Sequence, residues 1–550
     1  MSLPSSVTTF FDHVQQVVLA LATLPGTPSS PPRLAPLASC PRAAARTPAP
    51  PTPPVPLVTQ QLPLCLPLPQ VAGPAEFQAL CALLSRVDAL LMAGPERDFV
   101  TRSVAYCSRR RKRAFTPDEL QAFQLKSQQA LRCTVVRALL KETLRVFCCH
   151  LAESAVLQHF CRLAHLGEAT IPGHSELQRF TTWLPVEEMK ALITEQVTQA
   201  SAPDAPPRLG LAAPVSLDTV WADSTCAATR IHYPVDWLLL RDAVRTLIQA
   251  IQVLRAEGVT HRMPEPTTFL RAINQLCIKM SQAGKKKKTG KAQQKEILRE
   301  MKTLVQTVRA HAERYGALAA KHSAPTGKMV AAHRRMQLVL KQLPQVLQQA
   351  HERIIGERPV ANADKILSLY EPATSVIIRG KAGAPVEFGY SLFVVEQRNG
   401  LIVDWALPEH PQADVDLLQA AVPRWEVAYG KGAIKTAVTD RGCDSPASRA
   451  TLAEAGIGNS LCPRNRHQLE QRLAEDVAFR AHLRRRAQTE GRIAILKQTF
   501  LGGALHTKGH AHQEQEVAWV ILAHNLWVLA RLPRASTPAF AARNTRVTVQ

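Results

Sequence analysis

Apolar residues recur at three- and four-residue spacing in FQALCALLSRVDALLM (77–92) and ALRCTVVRALLKETLRVFCCHLAESAVLQHF (130–160), which predicts helices across residues 76–203. A second long helical pattern runs from about 235 to 355. Between the two, VSLDTVWADST (215–225) has strand character, either a short strand pair or one strand with a polar end. Beyond residue 364 strands dominate. EFGYSLFVVEQ (387–397) and GLIVDWAL (400–407) alternate on either side of RNG (398–400), and Asn-Gly tolerates the positive φ that a tight hairpin needs. AIKTAVTD (433–440) reads as a strand ending in an acid. SPASRATLAEAG (445–456) reads as a helix capped by Ser445 and ended by Gly456, followed by a short strand at IGNSLC (457–462) and a long basic helix around Glu490. Strand, hairpin, strand, helix and strand point to an α/β layer interrupted by a helical insertion.

Composition changes this picture at the edges. Residues 1–75 are rich in Pro, Ala, Leu and Ser, as in RTPAPPTPPVPL (46–57), and predict a disordered, low-complexity leader. APDAPPRLGLAAP (202–214) is a linker by the same criterion, and residues 534–550 a flexible tail. The 550 residues carry 67 Lys and Arg against 44 Asp and Glu, a net charge of +23, which favours a polyanionic partner. A membrane is the weaker choice, because VVLALATL (17–24) is short and VAWVILAHNLWVLA (517–530) is broken by His524 and Asn525. Asp12 and His13, with no basic segment ahead of the first apolar run, make a poor secretory signal. Twelve cysteines without a repeated spacing suggest reduced, buried thiols and a cytoplasmic protein. CCH (148–150) and HFC (159–161) fit helix packing better than zinc, since adjacent helical cysteines point to different faces.

Two basic runs stand out. SRRRKRAF (108–115) makes Arg110, Arg111 and Lys112 candidates for phosphate contact, and GKKKKTGK (284–291) is an exposed connection that also suits a DNA backbone. RGKAGAP (379–385) lacks P-loop spacing, so its Arg379 and Lys381 are read as DNA-backbone contacts rather than a nucleotide site. His506, His510 and His512 are expected in a polar loop before the last helix.

Three carboxylates carry the candidate chemistry. Asp440, followed by Arg441-Gly442, and Asp223, in VWADST, are both expected at strand ends, where open α/β sheets place their ligands. Glu490 is the only acid in RRRAQTEGRIAILKQ (484–498), and Arg486, Glu490, Ala494 and Lys497 share one helical stripe. Three such acids suit a pair of oxygen-ligated divalent ions acting on a phosphodiester, with the flanking cations holding phosphates. Each acid also has a plain structural role open to it, as a turn cap for the aspartates and a surface pair with Arg486 for Glu490.

ADSTCAATRIHYPVDWLLLRDAVR (222–245), KILSLYEPATSVIIRGKAGAPVEFGY (365–390), VTDRGCDS (438–445) and EGRIAILK (490–497) resemble bacterial insertion-sequence transposases of the DDE class, ISNCY type. VAWVILAHNLWVLARL (517–532) and HFCRLAHLGEATIPGHSELQRF (159–180) resemble the same family's closing helix and N-terminal helical domain. The resemblance covers roughly residues 150–532. It implies an RNase H-like core binding two Mg²⁺ or Mn²⁺ ions through Asp223, Asp440 and Glu490, with Glu371 a lower-ranked alternative first acid. Arg486 and Lys497 match the family's Y-x2-R-x3-E-x6-K signature, whose tyrosine position is here Leu483.

The expected organisation is an all-α DNA-binding domain over 76–203, a catalytic domain in two parts (210–234 and 364–533), and a helical insertion over 235–363. The expected partners are double-stranded DNA, at element ends and target, and further copies of the chain, with no membrane. The expected location is the bacterial cytoplasm, at the nucleoid. The expected activity is metal-dependent cleavage and strand transfer. A decayed copy that only binds DNA, or a nuclease on the same fold, are the alternatives.

Overall fold

The computed structural model describes residues 73–164, 169–286, 289–381 and 384–534, the side chains of 379–385 excepted. The proline-rich leader, but for its last three residues, and the tail beyond residue 534 lie outside the described residues. What is described is a mixed α/β protein with one mixed sheet.

The first helices are α1 (Ala75–Met92), α2 (Pro95–Arg110), α3 (Pro117–Leu140), α4 (Leu144–Glu153), α5 (Ala155–Phe160), α6 (His174–Thr181), α7 (Val186–Ser201) and α8 (Ala205–Leu209). Their starts follow local chemistry. Thr116 and Glu119 form a reciprocal capping box at α3, and Thr143 and Ser154 cap α4 and α5. Inside this group Arg132 is wholly buried and held by Glu96 and Asp88, a charge made tolerable by its forked hydrogen bonds.

The strand at residue 219 is a single strand, β1 (Thr219–Ala228), ten residues long. Four long helices follow: α9 (Asp236–Ala256), α10 (Pro266–Gly284), α11 (Gly290–Ala320) and α12 (Gly327–Ala350). They enclose an apolar core of their own, built on residues such as Leu247, Ile251, Met301, Val308, Met336 and Leu343. The lysine run joins α10 to α11, and Lys285 and Lys286 there are exposed.

The chain then returns to the sheet with β2 (Ser375–Lys381), β3 (Ala384–Gln397) and β4 (Ile402–Ala406). β3 and β4 are the expected hairpin, and Gly400 in its turn has φ +90°, a conformation glycine adopts without a Cβ penalty. After α13 (Asp414–Tyr429) come β5 (Thr436–Thr439), α14 (Pro446–Glu454) and β6 (Gly458–Leu461). Ser445 accepts from the Ser448 amide at the start of α14, as its position predicts. The last helices are α15 (Arg466–Glu475), α16 (Val477–Ile495), which runs into a π-helical turn (Leu496–Phe500), and α17 (His510–Arg531).

β3 is the long strand of the sheet. One edge pairs antiparallel with β1 over Gly389–Gln397, while the other takes β2 and β4 end to end. Beyond β1, β5 and β6 run parallel to it, giving the order β4-β3-β1-β5-β6 with β2 beside β4.

α17 is buried along almost its whole length, and it joins the first helices and the sheet into one apolar core. The polar interruption in its apolar run has a structural cause. The Asn525 side chain accepts from the Ile402 amide at 2.9 Å and donates to the Ile402 carbonyl at 2.8 Å, replacing a missing strand neighbour at the start of β4. His524 is buried beside it, and burial lowers its pKa to about 4. No single helix among the described residues is long and apolar enough to cross a membrane.

Candidate functional site

The two aspartates come together through strand register. β1 and β5 pair in parallel only over Thr219–Trp221 and Thr436–Val438. Two residues further on, Asp223 and Asp440 stand abreast where the strands part. Asp440 is at the end of β5, as expected. Asp223 is not at a strand end: β1 continues past it to Ala228, because the antiparallel partner β3 keeps pairing after β5 has turned away. What ends at Asp223 is the parallel part of the sheet, and that end opens the site.

Asp440 accepts from the Gly442 amide at 2.8 Å in a tight turn, so its turn-capping role and its place in the cluster coexist. Asp223 accepts from the Ser224 amide at 2.8 Å. Glu490 arrives on α16 with 62% of its side chain exposed, the freest of the three. Arg486, one turn earlier, lies among all three carboxylates, 3.4 Å from Asp223, 3.9 Å from Asp440 and 3.9 Å from Glu490. Three acids from distant parts of the chain thus share one guanidinium.

The electrostatics are unbalanced. Burial pushes the Asp223 carboxyl up to about 6, Arg486 pulls it down, and the nearby negative charges of Asp440 and Glu490 push it up again. One arginine is insufficient compensation for the burial and the neighbouring acids. Among the described residues no three ligating side chains stand close enough to hold a metal ion as they are. The donor type nevertheless fits a hard divalent cation, since three carboxylates converge on a common positive charge, here supplied by Arg486.

A fourth acid escaped the sequence reading. Asp414, at the start of α13, accepts from the Ser224 hydroxyl at 2.5 Å, next to Asp223 in β1. Its other oxygen lies 2.8 Å from where a Cβ on Gly442 would sit, so only glycine lets the Asp440 turn pack this closely. Burial first, and then Asp440, Asp414 and Asp223, raise the pKa of the Cys443 thiol beyond this turn. Arg464 braces the same turn by donating to the carbonyls of Arg441 and Gly442. The signals were Asp414 opening the helix of ADVDLL and an arginine two residues after Cys462, both too common to be singled out.

The remaining expected residues are scattered. Lys497 falls in the π-helical turn and pairs with Glu387 of β3 at 3.6 Å, a different acid from the three around Arg486. The side chain of Arg441 is exposed beside Asp440. Arg110 stacks on Tyr106 and donates to its hydroxyl, Arg111 pairs with Glu119 at 2.9 Å, and Lys112 is exposed. The side chains of Arg379 and Lys381 lie outside the described residues. Glu371 sits elsewhere, accepting from the Gly509 amide at the start of α17, with its pKa raised by burial. His510 donates its Nε2 proton to the Leu407 carbonyl at 2.6 Å, and His506 pairs with Glu516. His506 lies in the loop leading to α17 as expected, whereas His510 and His512 fall in the first turn of that helix.

No protein-family model, curated protein or solved structure matches the chain.

Proposed function

We propose that the chain is a DNA transposase of the DDE class, with an RNase H-like core formed by β4-β3-β1-β5-β6 and the triad Asp223, Asp440 and Glu490. The observation that carries this reading is the convergence of three acids, 217 and 50 residues apart in sequence, on the single guanidinium of Arg486. The strand order supports it, with a three-stranded antiparallel unit followed by two strands parallel to β1.

Two Mg²⁺ or Mn²⁺ ions are the group this reading calls for, and when bound they supply Lewis-acid stabilisation of the attacking and leaving oxygens. Asp223, Asp440 and Glu490 would hold them. Sheet register and the Gly442 turn fix the two aspartates in advance, so little rearrangement is needed there. Glu490, the most exposed of the three, would complete the set. Arg486, relieved of its acids, turns to the phosphate, and exposed Arg441 borders the same opening. Water attacks phosphorus, the bridging oxygen leaves with a proton as a 3′-OH, and that hydroxyl then attacks a target phosphodiester in the same manner. The partners are the element's terminal repeats and target DNA, held by a protein acting at least as a dimer in the bacterial cytoplasm.

The test incubates purified protein with DNA carrying the gene's own flanking ends and Mg²⁺ or Mn²⁺, beside Glu490→Gln. Cleavage at those ends and joining to a second duplex, both lost in the variant, are the expected result. Cleavage without joining makes the protein a nuclease. Binding without cleavage in either protein makes it a decayed copy, and equal cleavage by both removes Glu490 from the triad.

A further inference from the structure

The inserted helices hold most of the chain's net positive charge. Residues 236–355 carry 22 Lys and Arg against 8 Asp and Glu, a net +14 of the whole chain's +23. A four-helix unit with its own apolar core does not need that excess to fold, and self-repulsion opposes its compactness. The charge is also displayed rather than neutralised. Arg262, Arg271, Lys279, Arg299, Arg314 and Lys321 are exposed and make no ion pair with a described residue. The same holds for Arg334, Arg335 and Lys341.

On α11 and α12 the display is ordered. Arg314 and Leu318 on α11 and Lys321 at its C-cap recur at helical spacing, and Val330, Arg334, Leu338 and Lys341 do so on α12, so each helix carries one outward basic stripe. The helices stand level at Gly316, where an added Cβ would come within 3.1 Å of the Gln337 side chain. Gly316, Ala317 and Ala320 line a groove between them, whose one acid, Glu313, is paired with Arg309. α11 alone, at 31 residues, is about 46 Å long, more than one turn of a DNA duplex.

We infer that this inserted bundle is a second DNA-binding site, gripping the phosphate backbone of double-stranded DNA along the α11–α12 face without reading bases. A duplex is favoured over a single strand because unpaired bases need exposed aromatic faces to stack on. The bundle's aromatic residues, Trp237, Phe269 and Tyr315, are each partly or fully buried. A membrane surface is disfavoured because the exposed Val330 and Leu338 stand singly between arginine and lysine, with no continuous apolar face to insert. The site lies outside the acid cluster and needs neither metal nor catalysis, so it stands or falls separately from the proposed chemistry.

The test uses the full chain without divalent metal, a duplex of arbitrary sequence, and a salt titration of affinity. The variant Arg314→Gln/Lys321→Gln/Arg334→Gln/Lys341→Gln should lower the slope of log affinity against log salt by about 2–4, at roughly 0.9 per lost phosphate contact. Its thermal unfolding should match the parent, since these side chains make no ion pair with described residues. A second variant, Arg314→Lys/Arg334→Lys, should keep the parent slope, because backbone grip requires charge and not a guanidinium fork. An unchanged slope in the glutamine variant overturns the site. So does a loss of binding confined to single-stranded DNA or to phosphatidylserine vesicles. Absence of end cleavage in the separate Mg²⁺ or Mn²⁺ assay, with the expected slope change here, would sink the catalytic reading and leave this one intact.

Discussion

Arg485 and Arg486 are neighbours on α16 and meet opposite fates. Arg485 donates to Glu396 at 3.0 Å and to the carbonyl of Arg398 at 3.0 Å, and it stacks over Trp221 at 4.5 Å. Glu396 is buried, and Thr489 and Arg492 complete its shell. Arg486 instead faces three acids, none closer than 3.4 Å. The first cluster has hydrogen-bond partners for a buried charge and pins α16 to the sheet. The second holds more negative charge than one arginine offsets, which is the imbalance the proposed metal site calls for.

The largest effect expected from this contrast is on folding. Glu396→Ala leaves Arg485, 13% exposed, without its carboxylate, and should cost about 3–5 kcal/mol in chemical denaturation. A loss under 1 kcal/mol would make the two clusters equivalent and remove the distinction.

Asp223→Asn should act in the opposite direction. The carboxyl titrates near 6 in the folded chain against an ordinary 3.8, so the folded state holds its proton more tightly than the unfolded state. Stability is therefore lost as pH rises from about 4 through 6, and the asparagine variant avoids that loss. At pH 7 it should be more stable by about 1–3 kcal/mol, with the gain vanishing below about pH 4. Thermal unfolding across pH decides it, and a variant less stable than the parent at pH 7 would mean the cluster is as well compensated as Glu396.

Gly442→Ala tests the packing that brings Asp440 and Asp414 together. The new Cβ would lie 2.8 Å from Asp414 and 3.0 Å from Asp440, so one carboxylate has to move. The expected cost is about 1–2 kcal/mol, with any metal-dependent activity falling further than stability accounts for. Arg485→Lys gives the smallest effect, on the order of 1 kcal/mol, through the lost fork and weakened stacking on Trp221. Metal response should be unaffected in that variant.

Much of the local structure was legible in the chain. Asn-Gly at 399–400 makes the β3–β4 hairpin, and Ser445 starts α14. Asp440 closes β5 as its position predicts. Asp223 was harder. Its strand outlasts it because β3 pairs with β1 to Ala228, and strand ends set by a distant partner leave no mark on the residues around the acid. Lys497 pairs with Glu387 of β3 from the start of a π-helical turn, and neither that turn nor that partner is foreseen by a 3.6-residue period. Asp414 was invisible for a similar reason, since its partners Ser224 and Gly442 are 190 and 28 residues away in sequence.

Periodicity, capping and turn chemistry act over a few residues, so the sequence alone determined where helices, the hairpin and the short strands form, and that the chain is strongly basic. Tertiary structure decided the rest: that the first helices and the sheet share a core through α17, that four inserted helices close on themselves, and that three remote acids meet at Arg486. Those outcomes depend on strand register and on which apolar faces bury one another. Register and burial are properties of pairs of segments far apart in the chain, and no stretch of residues contains them by itself.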